Sequence, residues 1–446
     1  MRNFKAQFRD QTPNEKLDVL MLSEKSMWPH DQGFRVHGCQ IIKAMRELCI
    51  NAKIASIENT DNAPTWLSEM LVPWEQSQES DYRSFIEGWS GRWLKLREKV
   101  ANHQGIDVEQ YAGAIRLIKR HKPKAVIALG LHGSIMLKGL QQAFPRVKMI
   151  WYAADEPVTF HLSCIKHEPI SQWKNRFRNI ALFGLIERLF SKGLDGAIGV
   201  SPHDSKRLRL IGGIKSCATI RNGVDLNKFT VEPYSAKSRS IVFWGRMDFE
   251  PNIDAVKWFA KEVWPNLIRR SPNATFKIVG KNPTNQVLQL NNIKGIEVTG
   301  EVDDVRPYAR DAAVTILPMR CGAGIKNKLL EAAAMGLSII ATDHAIQGLE
   351  ISRFEKPFII ANKANDWVEQ IWGLWNNPIR QKTMRDQARQ WVERRHHWKT
   401  AATQLVEYIN PMLPLDEQMI IENSHQTTMD KTDRQKIREY RNRRAA

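Results

Sequence analysis

The chain has 446 residues, of which 42% are hydrophobic and 26% are charged. This composition excludes a disordered or collagen-like protein, and the length predicts two domains. The 66 lysines and arginines outnumber the 48 aspartates and glutamates, which gives a formal net charge of +18. Such a charge predicts an anionic partner: nucleic acid, anionic lipid or a phosphorylated small molecule.

The basic excess belongs to the body of the chain rather than to its arginine-rich end. Residues 411–446 contain seven basic and six acidic residues, which nearly cancel. The five cysteines are odd in number and form no CxxC pair. They predict a reducing, cytoplasmic location without a disulfide framework or a cysteine-rich zinc site. No apolar run has the length of a signal-peptide core or a spanning helix, so neither is expected.

In the first half of the chain, short apolar runs alternate with helical patterns, which is typical of βαβ units and a parallel sheet. The tryptophan-rich stretch 59–105 shows no ordered pattern. Helices are predicted over residues 35–48, 111–119 and 179–190. Strands are predicted over residues 18–22, 52–57, 125–129, 148–152 and 196–200.

The same pattern restarts after a polar linker at residues 232–239. Helices are predicted over residues 253–268, 326–335 and 367–375, followed by one long basic helical segment over 380–409. Strands are predicted over residues 240–245, 275–279, 296–299, 313–317, 338–342 and 358–360.

The sequence therefore predicts an α/β fold of two doubly wound, Rossmann-like domains that face each other across a cleft. The predicted domains are residues 1–235 and 236–410, and residues 411–446 are expected to form a polar, flexible tail. Ligands of such sheets bind at the carboxyl ends of the strands, so we expect the site in the cleft.

The segment LPMRCGAGIKNKLLEAAAMG places a glycine-rich turn between a predicted strand and a predicted helix. The turn contains Gly322 and Gly324, and Lys326 and Lys328 follow at the start of the helix. Free backbone N–H groups, a helix N-terminus and two lysines together favour phosphate binding. The alternative is an ordinary tight turn followed by a salt bridge between Lys328 and Glu331 on the helix.

Five segments of the second half, in order, resemble the nucleotide-sugar-binding domain of the retaining glycosyltransferases of family 4, which have the two-domain GT-B fold. Upstream, IGVSPHDSKRL and TIRNGVDLNKF resemble the end of the family's acceptor domain and its crossover, and residues 380–409 resemble the helix that crosses back. The five segments are SIVFWGRMDFEPNIDAVKWFAKEVWP, FKIVGKNP, IEVTGEVDDVRPYARDAAVTILPMR, GAGIKNKLLEAAAMG and SIIATDHAIQGLE.

This resemblance implies transfer of a sugar from a nucleotide-diphosphate donor to a glycan or lipid-linked acceptor with retention of configuration, in cell-surface polysaccharide biosynthesis. The nucleotide sugar would be a co-substrate, and no cofactor and no metal ion would be needed. Asp303 and Asp304 are adjacent rather than spaced as a metal-binding DxD triplet.

The resemblance also assigns donor contacts by position. Arg246 matches the arginine that neutralises the donor diphosphate, a task suited to a guanidinium. Glu331 matches the second carboxylate of the paired-glutamate motif, which holds the ribose hydroxyls. The backbone of Gly322 and Gly324 would approach the donor sugar and phosphates, and Val302 would lie at the base-binding edge. An ordinary surface ion pair is the alternative for Arg246.

Two positions depart from the family pattern. The first glutamate of the paired motif is Ala323 here, and the lysine found five residues after the family arginine is Pro251. We expect Lys326, at the start of the helix beside the glycine-rich turn, to supply the missing leaving-group cation. The chain would then belong to an active subgroup of the family. The alternative is that it is an inactive enzyme.

In the first domain, three residues are candidates by position. Gly33 would let the backbone approach the donor phosphate. His132 falls where the family places an active-site histidine, and Asp155, next to Glu156, would contact or orient the acceptor hydroxyl. The alternatives are an ordinary polar loop residue for His132 and a helix N-cap for Asp155.

Three basic clusters lie in the first domain, and the last of them precedes the apolar stretch 179–190. This combination suits docking on an anionic membrane, which predicts a peripheral location at the inner face of the cell membrane. Solvated helix faces are the alternative. The clusters are Arg92, Lys95, Arg97 and Lys99; Arg116, Lys119, Arg120, Lys122 and Lys124; and Lys166, Lys174, Arg176 and Arg178.

Two rival functions remain open. A nucleotide-sugar epimerase of the same fold would need acid and base residues but no acceptor. A non-catalytic nucleic-acid-binding or scaffold protein is suggested only by the net charge of +18. Because that charge is spread through both domains, we expect a nucleotide-sugar partner and no nucleic acid.

Overall fold

The computed structural model describes residues 16–29, 33–153, 157–231 and 239–421. Within these ranges the first half of the chain forms a parallel sheet of seven strands in the order β3-β2-β1-β4-β5-β6-β7. The strands are β1 (Val19–Ser23), β2 (Ala52–Ser56), β3 (Leu71–Val72), β4 (Ala125–Leu129), β5 (Lys148–Ala153), β6 (Gly196–Gly199) and β7 (Cys217–Thr219).

The second half forms a parallel sheet of six strands in the order β10-β9-β8-β11-β12-β13. These strands are β8 (Ser240–Trp244), β9 (Thr275–Val279), β10 (Ile296–Gly300), β11 (Val314–Leu317), β12 (Ile339–Ala341) and β13 (Ile359–Ile360). In both sheets the strand order reverses beside the first strand of the half, as in doubly wound folds. The predicted fold class, two facing Rossmann-like domains, is confirmed.

The central strands are buried because helices cover both faces of each sheet. Strands β1, β4 and β8 are buried at every position. The helices of the first half are α1 (Gly33–Glu47), α2 (Thr65–Ser68), α3 (Glu79–Gly88), α4 (Leu94–His103), α5 (Val108–Ala112), α6 (Ala114–His121), α7 (Gly133–Leu140), α8 (Pro157–Cys164), α9 (Ile170–Ser191) and α10 (Pro202–Arg207).

The helices of the second half follow the same pattern. One of them, predicted as continuous over 253–268, is interrupted by a π-helical turn at Phe259–Val263. They are α11 (Glu250–Trp258), α12 (Trp264–Arg270), α13 (Asn285–Leu288), α14 (Arg306–Arg310), α15 (Asn327–Ala334), α16 (Ala364–Trp375), α17 (Pro378–Arg395) and α18 (Trp398–Ile409).

The single helix predicted over residues 380–409 is instead the pair α17 and α18. The helix breaks at His396, whose ring Nδ1–H donates to the carbonyl oxygen of Asn222 at 2.8 Å. The backbone N–H of Val224 donates to the carbonyl oxygen of His396 at 3.0 Å. These bonds to the crossover segment turn the chain, so that α18 packs against α1 of the first domain.

The chain beyond α18 continues along the first domain. Leu405, Val406 and Ile409 of α18 are buried in the core beside β1 and β2, and Leu413 and Met419 join the same cluster. Residues 422–446, the remainder of the predicted tail, lie outside the described residues. The C-terminal helix therefore ties the two domains together through buried apolar surface.

Residues 59–105, in which the sequence shows no regular pattern, form short helices and one short strand, and Trp89 is buried among them. Trp89 is fully buried, edge-on to Phe85 at 5.5 Å and to Phe190 at 5.4 Å between ring centroids. Helices α3 and α4 pack around it, and each is too short for the sequence pattern to define.

Throughout the described ranges, no helix combines the length and the apolar character that crossing a membrane requires.

Candidate active site

A cavity of about 500 Å³ lies between the two domains, a size that suits a small-molecule ligand. It opens where several parallel strands end, because its walls come from the segments that follow β8 and β11 and from the start of α1. Four of the predicted site residues line it together: Gly33, Arg246, Gly322 and Lys326. The two departures from the family pattern, Pro251 and Ala323, line it as well.

Arg246 reaches the cavity because β8 ends two residues before it. Its guanidinium makes a two-pronged ion pair with Asp248, with Nε to Oδ1 at 3.0 Å and Nη2 to Oδ2 at 2.7 Å. Hydrogen bonding from Arg246 holds the pKa of Asp248 below its ordinary value. Asn252 also donates from Nδ2 to the carbonyl oxygen of Arg246 at 2.7 Å. The guanidinium is thus held in a defined orientation at the cavity wall.

The glycine-rich turn after β11 is fixed across the cleft. Gly322 has φ of 108° and Gly324 has φ of 66°, both in the left-handed region that favours glycine. The N–H of Gly322 donates to the hydroxyl oxygen of Ser163 in the first domain at 2.8 Å. The Nε2–H of His344 donates to the carbonyl oxygen of Gly322 at 2.8 Å. Both domains therefore determine where this turn lies.

The two lysines that follow the turn point to different places. The ammonium of Lys326 donates to the carbonyl oxygens of Ala323 at 2.7 Å and Gly324 at 3.1 Å, so it folds back on its own loop. The ammonium of Lys328 instead donates to Oδ1 of Asn252 at 2.6 Å. Lys328 therefore brings its charge to the segment that follows β8, where Arg246 lies.

Lys328 is enclosed on several sides. Its Nζ lies 4.2 Å from the centroid of the Phe243 ring, a cation–π contact. It is also the atom nearest to where a Cβ on Gly245 would stand, at 2.7 Å. Burial lowers the pKa of Lys328 to about 7, although the charge of Glu331 partly offsets the effect of burial. The sequence predicts this lysine as part of a phosphate-binding segment, with a salt bridge to Glu331 as the alternative, but does not indicate its bond to Asn252.

Three predicted donor contacts, Gly324, Glu331 and Val302, do not line the cavity. Glu331 accepts a hydrogen bond at Oε2 from the indole Nε1–H of Trp244 at 2.9 Å. Burial raises the pKa of Glu331, and the bond from Trp244 opposes that rise. Val302 packs against the hydrophobic core of the second domain. Their assignments to the ribose and the base stay predictions.

On the first-domain side, Gly33 begins α1 and lies against Asn327 of the second domain, whose Nδ2 is 3.4 Å from a Cβ placed on Gly33. His132 lies at the start of α7 outside the cavity lining, and its Nδ1 is 2.6 Å from Oε2 of Glu24. Tyr111 donates its hydroxyl to the same oxygen at 3.1 Å. Asp155 lies outside the described residues.

Glu24 is a residue that the sequence reasoning missed. It directly follows β1, at the carboxyl edge of the sheet, where β4 also ends shortly before His132. Burial by itself would raise the pKa of Glu24, but the hydrogen bond and charge of His132 outweigh it and the pKa is lowered. The rule that selected His132, a polar side chain just after a parallel strand, would also have selected Glu24.

Contacts between the domains close one side of the cleft. Arg176 of α9 pairs with Glu168 in its own domain and with Glu250 at the start of α11. Next to this pair, the rings of Phe160 and Phe249 stack with centroids 5.9 Å apart. Both phenylalanines line the cavity, so the charged contact and the stacked rings shape its mouth.

Within the described ranges, no group of three or more histidine, cysteine, aspartate or glutamate side chains is arranged to hold a metal ion.

Comparisons with known proteins agree with this architecture. Residues 238–377 match the family model described as glycosyl transferases group 1. No curated protein sequence matches the chain. The second sheet, Arg246 and the glycine-rich turn all lie inside the matched range.

Solved structures resemble the whole chain at low sequence identity. Sucrose-phosphate synthase from Thermosynechococcus elongatus is 14% identical over 89% of this chain and 99% of its own, with a TM-score of 0.63. S. aureus TarM is 10% identical over 89% and 99%, with a TM-score of 0.64. Anabaena HepE in complex with UDP is 12% identical over 89% and 100%, with a TM-score of 0.59. The chain has the GT-B fold of these proteins.

Proposed function

We propose that this protein is a glycosyltransferase that takes a sugar from a nucleotide-diphosphate donor bound mainly by the second domain. The observation that carries the proposal is the interdomain cavity, where Arg246 and Lys328 stand beside a glycine-rich turn. Two cations beside a helix N-terminus at the carboxyl ends of parallel strands suit a diphosphate. The glycosyl transferases group 1 match over the second domain supports the same activity, and HepE has been solved with UDP and with UDP-glucose.

In this proposal the cations act on the leaving group. Departure of the sugar leaves a full extra negative charge on the diphosphate, and fixed positive groups in a dry cleft stabilise that charge most effectively. Arg246 is oriented by Asp248, and Lys328 is oriented by Asn252. Lys328, carried by α15, thereby replaces the family lysine that is absent at Pro251, a role that the sequence had assigned to Lys326.

The acceptor would bind on the first domain. His132 is oriented by Glu24, to which Tyr111 also donates, and is the described group on that edge best suited to hold or move a proton of an acceptor or donor hydroxyl. Retention of configuration, independence of metal ions and a role in cell-surface polysaccharide biosynthesis are part of the proposal and follow from the family resemblance. So is the cytoplasmic location.

A thermal-shift screen with uridine, guanosine and thymidine diphosphate sugars tests the donor site. We expect one nucleotide class to raise the melting temperature of the wild type, since a ligand that binds only the native state stabilises it. Arg246→Ala should lose that shift. Arg270→Ala, which removes a cation paired with Glu369 on the same domain, is the matched control and should keep it.

Glu331 needs a variant that preserves its contact with Trp244. Glu331→Gln keeps an acceptor for the indole N–H but loses the carboxylate, and we expect it to weaken donor binding without lowering the melting temperature of the ligand-free protein. Unchanged donor affinity in Glu331→Gln would remove this residue from the site.

Product analysis separates the rivals. A sugar-nucleotide isomer formed without any acceptor would identify an epimerase. If no sugar nucleotide shifts the melting temperature and the protein binds DNA or RNA with a steep salt dependence, the function is nucleic-acid binding.

A further inference from the structure

Helix α9 is apolar on two faces, and only one of them is covered. Its inner face is buried in the first-domain core, with Ile186 and Phe190 fully enclosed. Its outer face carries Ile170, Trp173 and Phe177, which are 79%, 36% and 53% exposed. Spacings of three and four residues place these three side chains on one face of the helix. Aromatic and aliphatic side chains exposed in a row usually mark an interaction surface.

The charges on the same outer face are all positive. Lys174, Arg178 and Arg188 are exposed there, interleaved with the apolar side chains. Among the residues that the structure describes, none of the three takes part in an ion pair. Glu187 is the only acidic residue in α9, and it is fully buried. No carboxylate of the helix therefore neutralises this face.

The other basic clusters predicted from the sequence are engaged in part by contacts within the protein. Arg97 is buried and donates to the backbone carbonyl oxygens of Trp89 at 2.8 Å and Leu189 at 3.0 Å. Arg116 and Arg120 both pair with Glu75.

Further pairs complete this pattern. Lys119 pairs with Asp81 and Lys124 pairs with Asp18, and Arg176 belongs to the cleft contacts with Glu168 and Glu250. Among the cluster residues for which the described part of the chain shows no ion pair, Lys174 and Arg178 share a helix face with exposed apolar side chains, whereas Arg92, Lys95, Lys99, Lys122 and Lys166 lie outside α9.

We propose that the outer face of α9 docks on the surface of an anionic lipid bilayer. A helix lying in the interface buries aromatic and aliphatic side chains among the acyl chains, while lysine and arginine extend to the headgroups. Tryptophan at position 173 suits the boundary between the two regions. From Ile170 to Arg188 the face extends for about 27 Å along the helix. Nucleic acid would match the cations but offers no apolar phase for Ile170 and Phe177.

The position of this face relative to the cavity gives the docking a consequence. Arg176, one residue before Phe177, contacts Glu250 of the second domain and lies against the ring of Phe160, which lines the cavity. Docking α9 would therefore hold the mouth of the cleft close to the bilayer. The inference stands on the surface of α9 and does not depend on the proposed transfer reaction.

Co-sedimentation with vesicles tests the proposal directly. We expect the full chain to sediment with vesicles of equimolar phosphatidylglycerol and phosphatidylcholine, and to remain in solution with phosphatidylcholine alone. Lys174→Gln/Arg178→Gln should weaken vesicle binding about 30-fold, since each cation near an anionic surface contributes roughly fivefold. Ile170→Ser/Trp173→Ser/Phe177→Ser should weaken it at least as much, and this loss should persist in high salt.

The matched control removes exposed apolar side chains from a different part of the surface. Phe354→Ser/Ile379→Ser removes two apolar side chains that are 79% and 80% exposed on the second domain, and it should bind vesicles as the wild type does. All variants should keep the melting temperature and the donor-induced shift, so a failure of docking is separable from a failure of the donor site. Wild-type binding in both α9 variants would overturn the proposal. So would absence of binding to anionic vesicles, or a DNA duplex that binds through α9 while vesicles do not.

Discussion

The two walls of the cleft are built in different ways. In the second domain, the site comes from two short stretches, residues 245–252 and 322–328, that lie inside the family match. In the first domain, the lining comes from the starts of α1 and α8, outside that match, and Glu24 and His132 meet on the same sheet edge outside the lining. The second-domain wall is therefore encoded in local segments, whereas the first-domain side depends on the strand order that brings distant segments together.

A second contrast lies within the donor side itself. Lys326 and Lys328 are two residues apart, yet one ammonium returns to its own loop and the other reaches Asn252 on the neighbouring segment. Two positions along the chain separate a cation that fixes the turn from a cation that bonds to Asn252, next to Arg246. Mutations on both walls can test how far these contrasts determine activity.

The largest effect should come from Arg246→Ala. Loss of one preorganised group that stabilises developing charge typically lowers the rate by about 10²–10³-fold, and we expect that loss in kcat for sugar transfer. Arg246→Lys should recover only part of it, because an ammonium cannot make the two-pronged pair with Asp248. If both variants keep most of the wild-type rate, the leaving group is stabilised elsewhere.

The second-largest effect should come from Lys328→Met. We expect a loss of roughly ten- to a hundredfold in kcat/KM for the donor, which is the range for a charge-assisted hydrogen bond. Methionine keeps the apolar stem against Phe243, which limits structural damage. Lys326→Met is the matched control two residues away and should change kcat/KM only a few-fold. The opposite order of effects would restore Lys326 as the leaving-group cation.

The pH dependence of donor binding should reflect Lys328. With a pKa of about 7, its amine is charged below that pH and becomes neutral above it. Nucleotide-sugar affinity in the wild type should therefore fall as the pH rises from 6 to 9, by up to about tenfold per unit. The loss of affinity caused by Lys328→Met sets the maximum size of this fall. Calorimetric titration of Lys328→Met should show a flat profile, and a slope equal to that of the wild type would assign the dependence to another group, such as His344.

The smallest effect should come from Glu24→Gln. The amide still accepts from His132 but no longer carries the negative charge, so we expect a few-fold fall in kcat with donor KM unchanged. Glu58→Gln on the same edge, which bonds to Lys25 at 2.8 Å, is the control and should leave kcat unchanged. Wild-type kcat in Glu24→Gln would show that this pair plays no part in the reaction.

The fold was predictable where a strand of five residues lies inside the sheet and most of its residues are apolar. Strands β4 and β9 begin and end where the sequence predicts them. Strands β3 and β7 were missed because they have two and three residues and lie at the edges of the sheet, where no hydrophobic run is required. Likewise, the break between α17 and α18 follows from hydrogen bonds to residues about 170 positions earlier, which no local pattern reveals.

The sequence by itself determined the two-domain architecture and the second-domain wall of the cavity, because alternating apolar runs and a glycine-rich turn are local features of the chain. Only the tertiary structure decided which lysine bonds to Asn252, that Glu24 meets His132, and which basic residues find a carboxylate partner. Each of these depends on the direction of a side chain toward a partner far away in sequence. Burial and strand order determine that direction, and neither can be predicted from the spacing of residues along the chain.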